Sequence, residues 1–324
     1  MTVDSYNIAY INNETKIEDA AVRYLWAGWY IFLSFTSLIG DTIILIASIR
    51  HNAIKLHEVM VAFIQHIAVT DLIAAVTWLL PVAVSLLENK WVFGAVICYL
   101  HAPIWAIGYQ AARLLICGMT TSKLLMLRYP LRSVSWSAGQ VHKLCAGVWL
   151  LSCILCISLH GLKYPKEMSF DFRPYNCAYD DGSRVQFTIM WPIISTTFGL
   201  IPSLVIVLTG GMILGLAGRV ARQARQGLRW QGILTVVLTA AFYVISYLPR
   251  AVYHIAVPFV KKSPTTPHPF MVICNRWSLL FLSVNIVSNF FIYCLAVSSF
   301  RDFLRKRFQR LICKDHGETL HILP

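Results

Sequence analysis

The chain has 324 residues, 57% of them hydrophobic and only 13% charged, with a mean hydropathy of +0.62, whereas soluble globular domains run at about 45–50% apolar and about 25% charged. A soluble fold of this length needs polar surface that the chain lacks, which excludes a large soluble helical protein and predicts a chain embedded in lipid. The formal net charge of +13 reads as membrane topology and attraction to anionic lipid, and it calls for no nucleic-acid partner.

In chain order, the first 22 residues are polar and lack the short apolar core of a signal peptide, so the first span is expected to act as its own insertion signal. Seven apolar runs follow, over residues 24–49, 59–87, 96–122, 143–160, 187–217, 231–258 and 276–297. Each is near the ~20 residues that cross a hydrocarbon core as a helix. Lipid leaves an unpaired backbone amide unsatisfied, and the runs are far longer than barrel strands and lack their alternation, so an all-α bundle of seven helices is predicted. Residues 1–23 form the outer segment, 24–298 the bundle and 299–324 a cytoplasmic amphipathic helix and tail.

Orientation follows from Lys and Arg. With the N-terminus outside, Arg50, Lys55, Lys123, Arg128, Arg132, Lys143, Arg219, Arg222, Arg225, Arg229 and the tail cations Arg301 to Lys314 all fall inside. Asn13-Glu14-Thr15 is then a glycosylation sequon on the outer side. Of the nine cysteines, Cys117, Cys145, Cys153, Cys156 and Cys294 lie within spans and read as small buried hydrophobes. Cys98 and Cys177 are outside, where a disulfide persists, and a bridge between them would pin a long loop over the mouth of the bundle. Cys274 is a third outer cysteine without an evident mate, and Cys313, near the end of the basic tail, is a candidate for palmitoylation.

Taken together, certain marks occur in order, each in its own span: Gly40-Asp41, Ile67-Ala68-Val69-Thr70-Asp71, Trp91-Val92-Phe93-Gly94 with Cys98, Trp149, Pro202, Ser246-Tyr247-Leu248-Pro249 and Asn289-Phe290-Phe291-Ile292-Tyr293. With these the whole chain resembles a rhodopsin-like (class A) G-protein-coupled receptor. The resemblance implies a multi-pass plasma-membrane protein with its N-terminus extracellular. It also implies an extracellular ligand and a heterotrimeric G protein as partners, with neither cofactor nor metal. Phe300-Arg301-Asp302-Phe303-Leu304 resembles the short helix on the inner membrane surface, apolar on one face and basic on the other.

Departures from the family pattern are specific. Where the family usually carries Asp-Arg-Tyr, eight residues ahead of Pro130-Leu131, this chain has Ser122-Lys123-Leu124. Ser122 cannot hold Lys123 by charge, and lysine lacks the planar donor fork of arginine. Gly210 stands eight residues past Pro202, where the family commonly has a tyrosine. Arg128-Tyr129 abuts Pro130 and is expected in the loop. Lys123, Arg128, Arg225 and Arg229 are the expected G-protein-facing cations, although a lysine at a helix end also reads simply as one that snorkels to the interface.

Ionisable groups deep in a span usually face the bundle interior. Asp41, Asp71, Asn285, Asn289 and Tyr293, together with Arg113, form the expected intramembrane polar switch, with the first four gathering near mid-bundle. Ala112 stands where the family's sodium site has a serine, and Asp41 replaces a family asparagine, so sodium binding is not expected. Arg113 admits two placements: counter-charge to Asp71 or Asp41, or pocket floor facing spans five and six. The outer half is expected to bind the ligand through Trp105, Tyr109, Tyr247, Arg250, His254 and Trp277, with Tyr253 as a further lining residue.

Trp105 replaces the aspartate of amine receptors and Ser283 the Schiff-base lysine of opsins, which argues against both. Arg250 suits a carboxylate, while Asp171, Asp180 and Asp181 suit a basic peptide, so the ligand is read as a peptide or a small acidic molecule. Inverted repeats, a filter segment, a zinc-ligand pair, a nucleophile elbow and an acid pair at catalytic spacing are not evident, which disfavours a transporter, channel or enzyme. The rival within the fold is a seven-helix receptor with lost or weak coupling that acts as a scavenger or as partner of another receptor.

Overall fold

The computed structural model describes residues 20–50, 54–129, 136–161, 168–171, 176–179, 199–223, 227–256 and 269–315. The long helices are α1 (Ala20–Ile49), α2 (Glu58–Glu88), α3 (Gly94–Arg128), α4 (Ala138–Gly161), α5 (Ile201–Gln223), α6 (Gly227–Ala256) and α7 (Pro269–Ala296). A further helix, α8 (Ser298–Asp315), follows α7 after a single residue. Between α4 and α5 a short antiparallel hairpin, β1 (Met168–Asp171) with β2 (Asn176–Tyr179), pairs Phe170 with Cys177. The sequence pattern did not point to the hairpin, since four-residue strands carry too little periodicity to read.

Six of the described helices are long and apolar enough to cross a membrane: all of α1 to α7 except α3. α3 packs against α2, α4, α5 and α6 at once. Its polar residues Gln110, Arg113, Thr120, Ser122 and Lys123 are all buried, so they face other helices. α1 closes the ring against both α2 and α7, and α5, α6 and α7 pack in succession.

Local chemistry sets the helix ends. Ser137 and Gln140 form a reciprocal capping pair at the start of α4: the Ser137 amide donates to Gln140 Oε1 (3.0 Å) and the Gln140 amide to Ser137 Oγ (3.3 Å). α2 ends on Asn89 in the left-handed region at φ 52°. α3 runs through Arg128 and stops at Tyr129, because the residue before a proline disfavours the α region. Arg128 is thus the last helical residue and not part of a loop, as its closeness to Pro130 had implied.

Inside α2, Pro81 removes the amide that would bond Thr77, and the chain widens to a π turn over Ala75–Leu79 in which the Leu80 amide reaches Ala75 O. Ser34 Oγ of α1 donates to that same carbonyl at 3.1 Å, tying α1 to the widened turn.

Two cores share the bundle. The larger runs from Tyr30, Leu33 and Trp78 through Leu115 and Met119 to Ile206, Tyr243 and Leu282. The smaller lies at the cytoplasmic end, where Ile44, Ile64, Ile292, Tyr293 and Phe300 bind α1, α2, α7 and α8 together. Arg301 Nη1 donates to the carbonyls of Cys294 (3.0 Å) and Leu295 (2.8 Å), satisfying the open end of α7.

Candidate ligand site and intramembrane polar network

An aromatic series crosses the bundle. Tyr30 of α1 meets Trp78 of α2 edge-on at 6.4 Å, and Trp78 stacks on Trp105 of α3 at 5.7 Å. Trp105 is followed one turn along by Tyr109 at 6.0 Å, Tyr109 meets Tyr247 of α6 at 6.1 Å, and Tyr247 stacks on Tyr243 at 5.7 Å. The i, i+4 spacing of the α3 and α6 pairs puts each pair on one helix face.

Of the two arginines predicted for the bundle, Arg113 belongs to this series. The Arg113 guanidinium lies 4.6 Å from the ring centroids of both Tyr109 and Tyr247, sandwiched between α3 and α6. Gly199 leaves room for it: a Cβ there would fall 2.6 Å from Tyr247 Oη and 3.0 Å from Arg113 Nη1. Tyr109 Oη is close to that guanidinium without meeting it in hydrogen-bond geometry. Of the two placements open in the sequence, Arg113 thus takes the one facing α5 and α6. The counter-charge placement gives way because ring faces solvate a guanidinium without a carboxylate.

Arg250 is half-buried one residue past Pro249 and donates through Nη1 to Asn275 Oδ1 and to Ser278 Oγ (3.3 Å), both on α7. Its guanidinium also lies 5.1 Å from the Tyr253 ring centroid. Trp277, by contrast, is 51% exposed and stands edge-on to Trp26 at 5.8 Å, so it belongs to the outer α1–α7 surface and not to the pocket lining. The His254 side chain lies outside the described ones, although its backbone continues α6.

The acids form a separate site. Ser37 Oγ donates to Asp41 Oδ2 at 2.6 Å and stands 3.4 Å from the Asp71 carbonyl oxygen, while Asn289 Nδ2 donates to Asp71 Oδ2 at 2.7 Å. All four residues are buried. Tyr293 is buried in the cytoplasmic core with no hydrogen bond on its hydroxyl among the described residues. Among the described hydrogen bonds Asn285 contributes its backbone carbonyl, to Ser288 Oγ. The expected gathering therefore comprises Asp41, Asp71 and Asn289 without the Asn285 side chain, and with Ser37 added. The i, i+4 step from Ser37 to Asp41 was the signal that could have found it.

At the cytoplasmic end, Lys123 is 8% exposed and Ser122 5%. The Lys123 ammonium crosses to α6, where a Cβ on Gly232 would stand 3.0 Å from Nζ. Lys123 is therefore turned inward under α6, neither snorkelling nor presented to the cytoplasm, because Gly232 opens space for it. Arg128 is exposed, lying 5.8 Å from the Tyr129 ring centroid. Arg225 and the side chain of Arg229 lie outside the described residues. His66 and His142 meet across α2 and α4 with Nε2 and Nδ1 3.1 Å apart.

Cys98 is disulfide-bonded. The Cys177 side chain is not among those described, but its strand β2 packs on α3, the helix of Cys98. Cys274 is free. Asn13, Asp180, Asp181 and the side chain of Cys313 lie outside the described residues.

Residues 40–293 match the family described as 7 transmembrane receptor (rhodopsin family), and the chain belongs to that family. Among its relatives, the C-X-C chemokine receptor type 2 of Mus musculus is 22% identical over 222 residues, covering 68% of this chain and 59% of that receptor. The type-1 angiotensin II receptor A of Xenopus laevis is 23% identical over 225 residues, covering 67% and 61%. The octopamine receptor 1 of Lymnaea stagnalis is 32% identical over a shorter 122 residues, covering 37% and 18%. The chain spans about three fifths of the length of the first of these relatives.

Proposed function

We propose that the chain is a plasma-membrane receptor, N-terminus outside, that binds an extracellular peptide or small acidic molecule and signals through a heterotrimeric G protein. The observation that carries this reading is the aromatic series with Arg113 and Arg250 spanning α3, α6 and α7, a half-apolar site with a few placed polar groups of the kind that binds small ligands. The chemokine and angiotensin receptors among its relatives favour a peptide or acidic ligand over an amine. The octopamine receptor does not reverse this, because Trp105, stacked on Trp78, offers no carboxylate to an ammonium. The Cys98–Cys177 bridge, glycosylation at Asn13 and palmitoylation at Cys313 belong to the same reading.

A second reading is favoured by Lys123. A receptor whose α3 cation is held under α6, without an acid at position 122, suits weak coupling and a role as scavenger or partner of another receptor. Nucleotide exchange on a panel of G proteins, with the chain expressed alone at verified surface density, separates the two. Exchange above the empty-vector level on any member supports the signalling receptor, and none on the whole panel supports the scavenger.

A further inference from the structure

We infer that the outer site takes a small ligand bearing one carboxylate, held in the fork of Arg250, with its apolar or aromatic body against the Trp105 and Tyr109 rings. This rests on the reading of that site as the ligand pocket. Arg250 reaches α7 only through Nη1. Its other edge, Nη2 and Nε, makes no hydrogen bond among the described residues, and every described partner of the guanidinium is neutral: Asn275, Ser278 and the face of Tyr253. A half-buried guanidinium with one edge tied and one edge open presents two parallel N–H donors, the geometry a carboxylate accepts bidentately.

Surrounding chemistry points the same way. Arg250 lies three residues past Tyr247 on α6, so its side chain shares a helix face with Tyr247, which in turn meets Tyr109. Arg113 adds a second positive charge on the inner side of the same two tyrosines. The described outer segments carry Arg23, Lys90 and Arg276 against two acids, Glu88 and Asp171 of the hairpin. An ammonium ligand would meet guanidinium charge from both sides, and a neutral one would leave the open edge unanswered. A dianion would need a second open fork, which Arg113, stacked between two rings, does not present.

The test uses the full chain purified in nanodiscs and thermal unfolding, which reads binding without any G protein. The probes are small aromatic monocarboxylates, including phenylacetate and 3-(indol-3-yl)propanoate, each paired with its primary amide and with the amine of the same skeleton. Carboxylates at about 1 mM are expected to raise the melting temperature, as any ligand that binds only the folded state does. The amides and amines are expected to leave it unchanged. Arg250→Gln should abolish the shift and Arg250→Lys should weaken the affinity at least tenfold. If Arg250→Gln does not fold, the acid-against-amide comparison on the unaltered chain decides. The inference is overturned by amines or amides that stabilise the chain, by a carboxylate shift that survives Arg250→Gln, or by the absence of any carboxylate shift across the set. In the first of these cases a loss of binding in Trp105→Ala leaves the receptor reading standing, and G-protein exchange tests that reading separately.

Discussion

Arg113 is seated on ring faces, and what they contribute to stability can be measured. Had it neutralised a carboxylate, removing it would leave a buried charge unpaired at roughly 3–5 kcal/mol, and neutralising that carboxylate would restore the loss. Among the described contacts it meets the rings of Tyr109 and Tyr247, each 4.6 Å away, while Asp41 and Asp71 accept from Ser37 and Asn289. Arg113→Met is expected to cost about 1–4 kcal/mol, two cation–π contacts with their packing. Adding Asp41→Asn should change stability by the sum of the two single effects, because the described contacts of the two sites do not overlap. Thermal unfolding of the two single variants and the double variant checks this; rescue by Asp41→Asn would return Arg113 to the counter-charge role. The sequence left both placements open for a physical reason. A periodic pattern fixes which face of α3 a residue occupies, but not whether a long side chain on that face leans toward α2 and α7 or toward α5 and α6. Gly199 decides it, and a glycine 86 positions away in the chain carries no visible link to Arg113.

At the scale of elements, glycines set how closely helices approach. On α1, a Cβ at Gly40 would fall 2.8 Å from Phe290 Cγ and 2.9 Å from Phe290 Cβ, and a rigid ring backed by Phe291 and Phe300 cannot retreat. Gly40→Ala should therefore force α1 away from α7 and destabilise by about 1–3 kcal/mol, the range for overpacking a filled core. Because Asp41 is the next residue, the same shift should loosen its hydrogen bond to Ser37. The measurement is the melting temperature of purified Gly40→Ala beside Gly28→Ala, where a Cβ meets nothing within 4 Å and no loss of packing is expected. Equal behaviour of the two would show that the α1–α7 contact yields.

The elements themselves were largely legible: apolar runs long enough to span a bilayer located the helices, and the tandem of Asp41, Asp71 and Asn289 announced a polar cluster. What stayed hidden was of two kinds. The hairpin Met168–Asp171 with Asn176–Tyr179 is too short to show a period, and helix ends shift with capping chemistry, as at Arg128, where Pro130 acts one residue later than its position implied. Contacts between distant residues, such as His66 with His142, need the bundle to exist before they can be seen.

Across the whole molecule, the cytoplasmic end of α6 is held at two points. Gln231 Nε2 donates to Ser298 Oγ of α8 at 2.9 Å, and the adjacent Gly232 lies over the Lys123 ammonium of α3. The stretch Ser122-Lys123-Leu124 looked in sequence like a switch stripped of its acid and its guanidinium, and the geometry adds that the remaining cation is seated against the helix it would have to leave. A ligand can shift an equilibrium only by its differential affinity for the two arrangements, and a contact made only in a resting arrangement lowers basal activity. Restoring Asp at 122 and Arg at 123, with Tyr at 210, where a Cβ would meet only Ala240 at 3.9 Å, is expected to raise ligand-driven exchange.

Gly232→Ala isolates the seat itself. Its Cβ would stand 3.0 Å from Nζ at the end of a flexible chain, so Lys123 can swing aside without loss of fold. The variant should keep the melting temperature of the unaltered chain and raise basal G-protein exchange several-fold, a bias of about 1 kcal/mol between states being enough for that. Lys123→Ala should match it, and the double variant should exceed neither, since both remove one contact. Exchange at equal surface density is the readout, with a partner of the second reading as the contrast: if Gly232→Ala and Lys123→Ala leave exchange where it was while Ser298→Ala raises it, then α6 is restrained through α8 alone and Lys123 serves only to fill the space that Gly232 leaves.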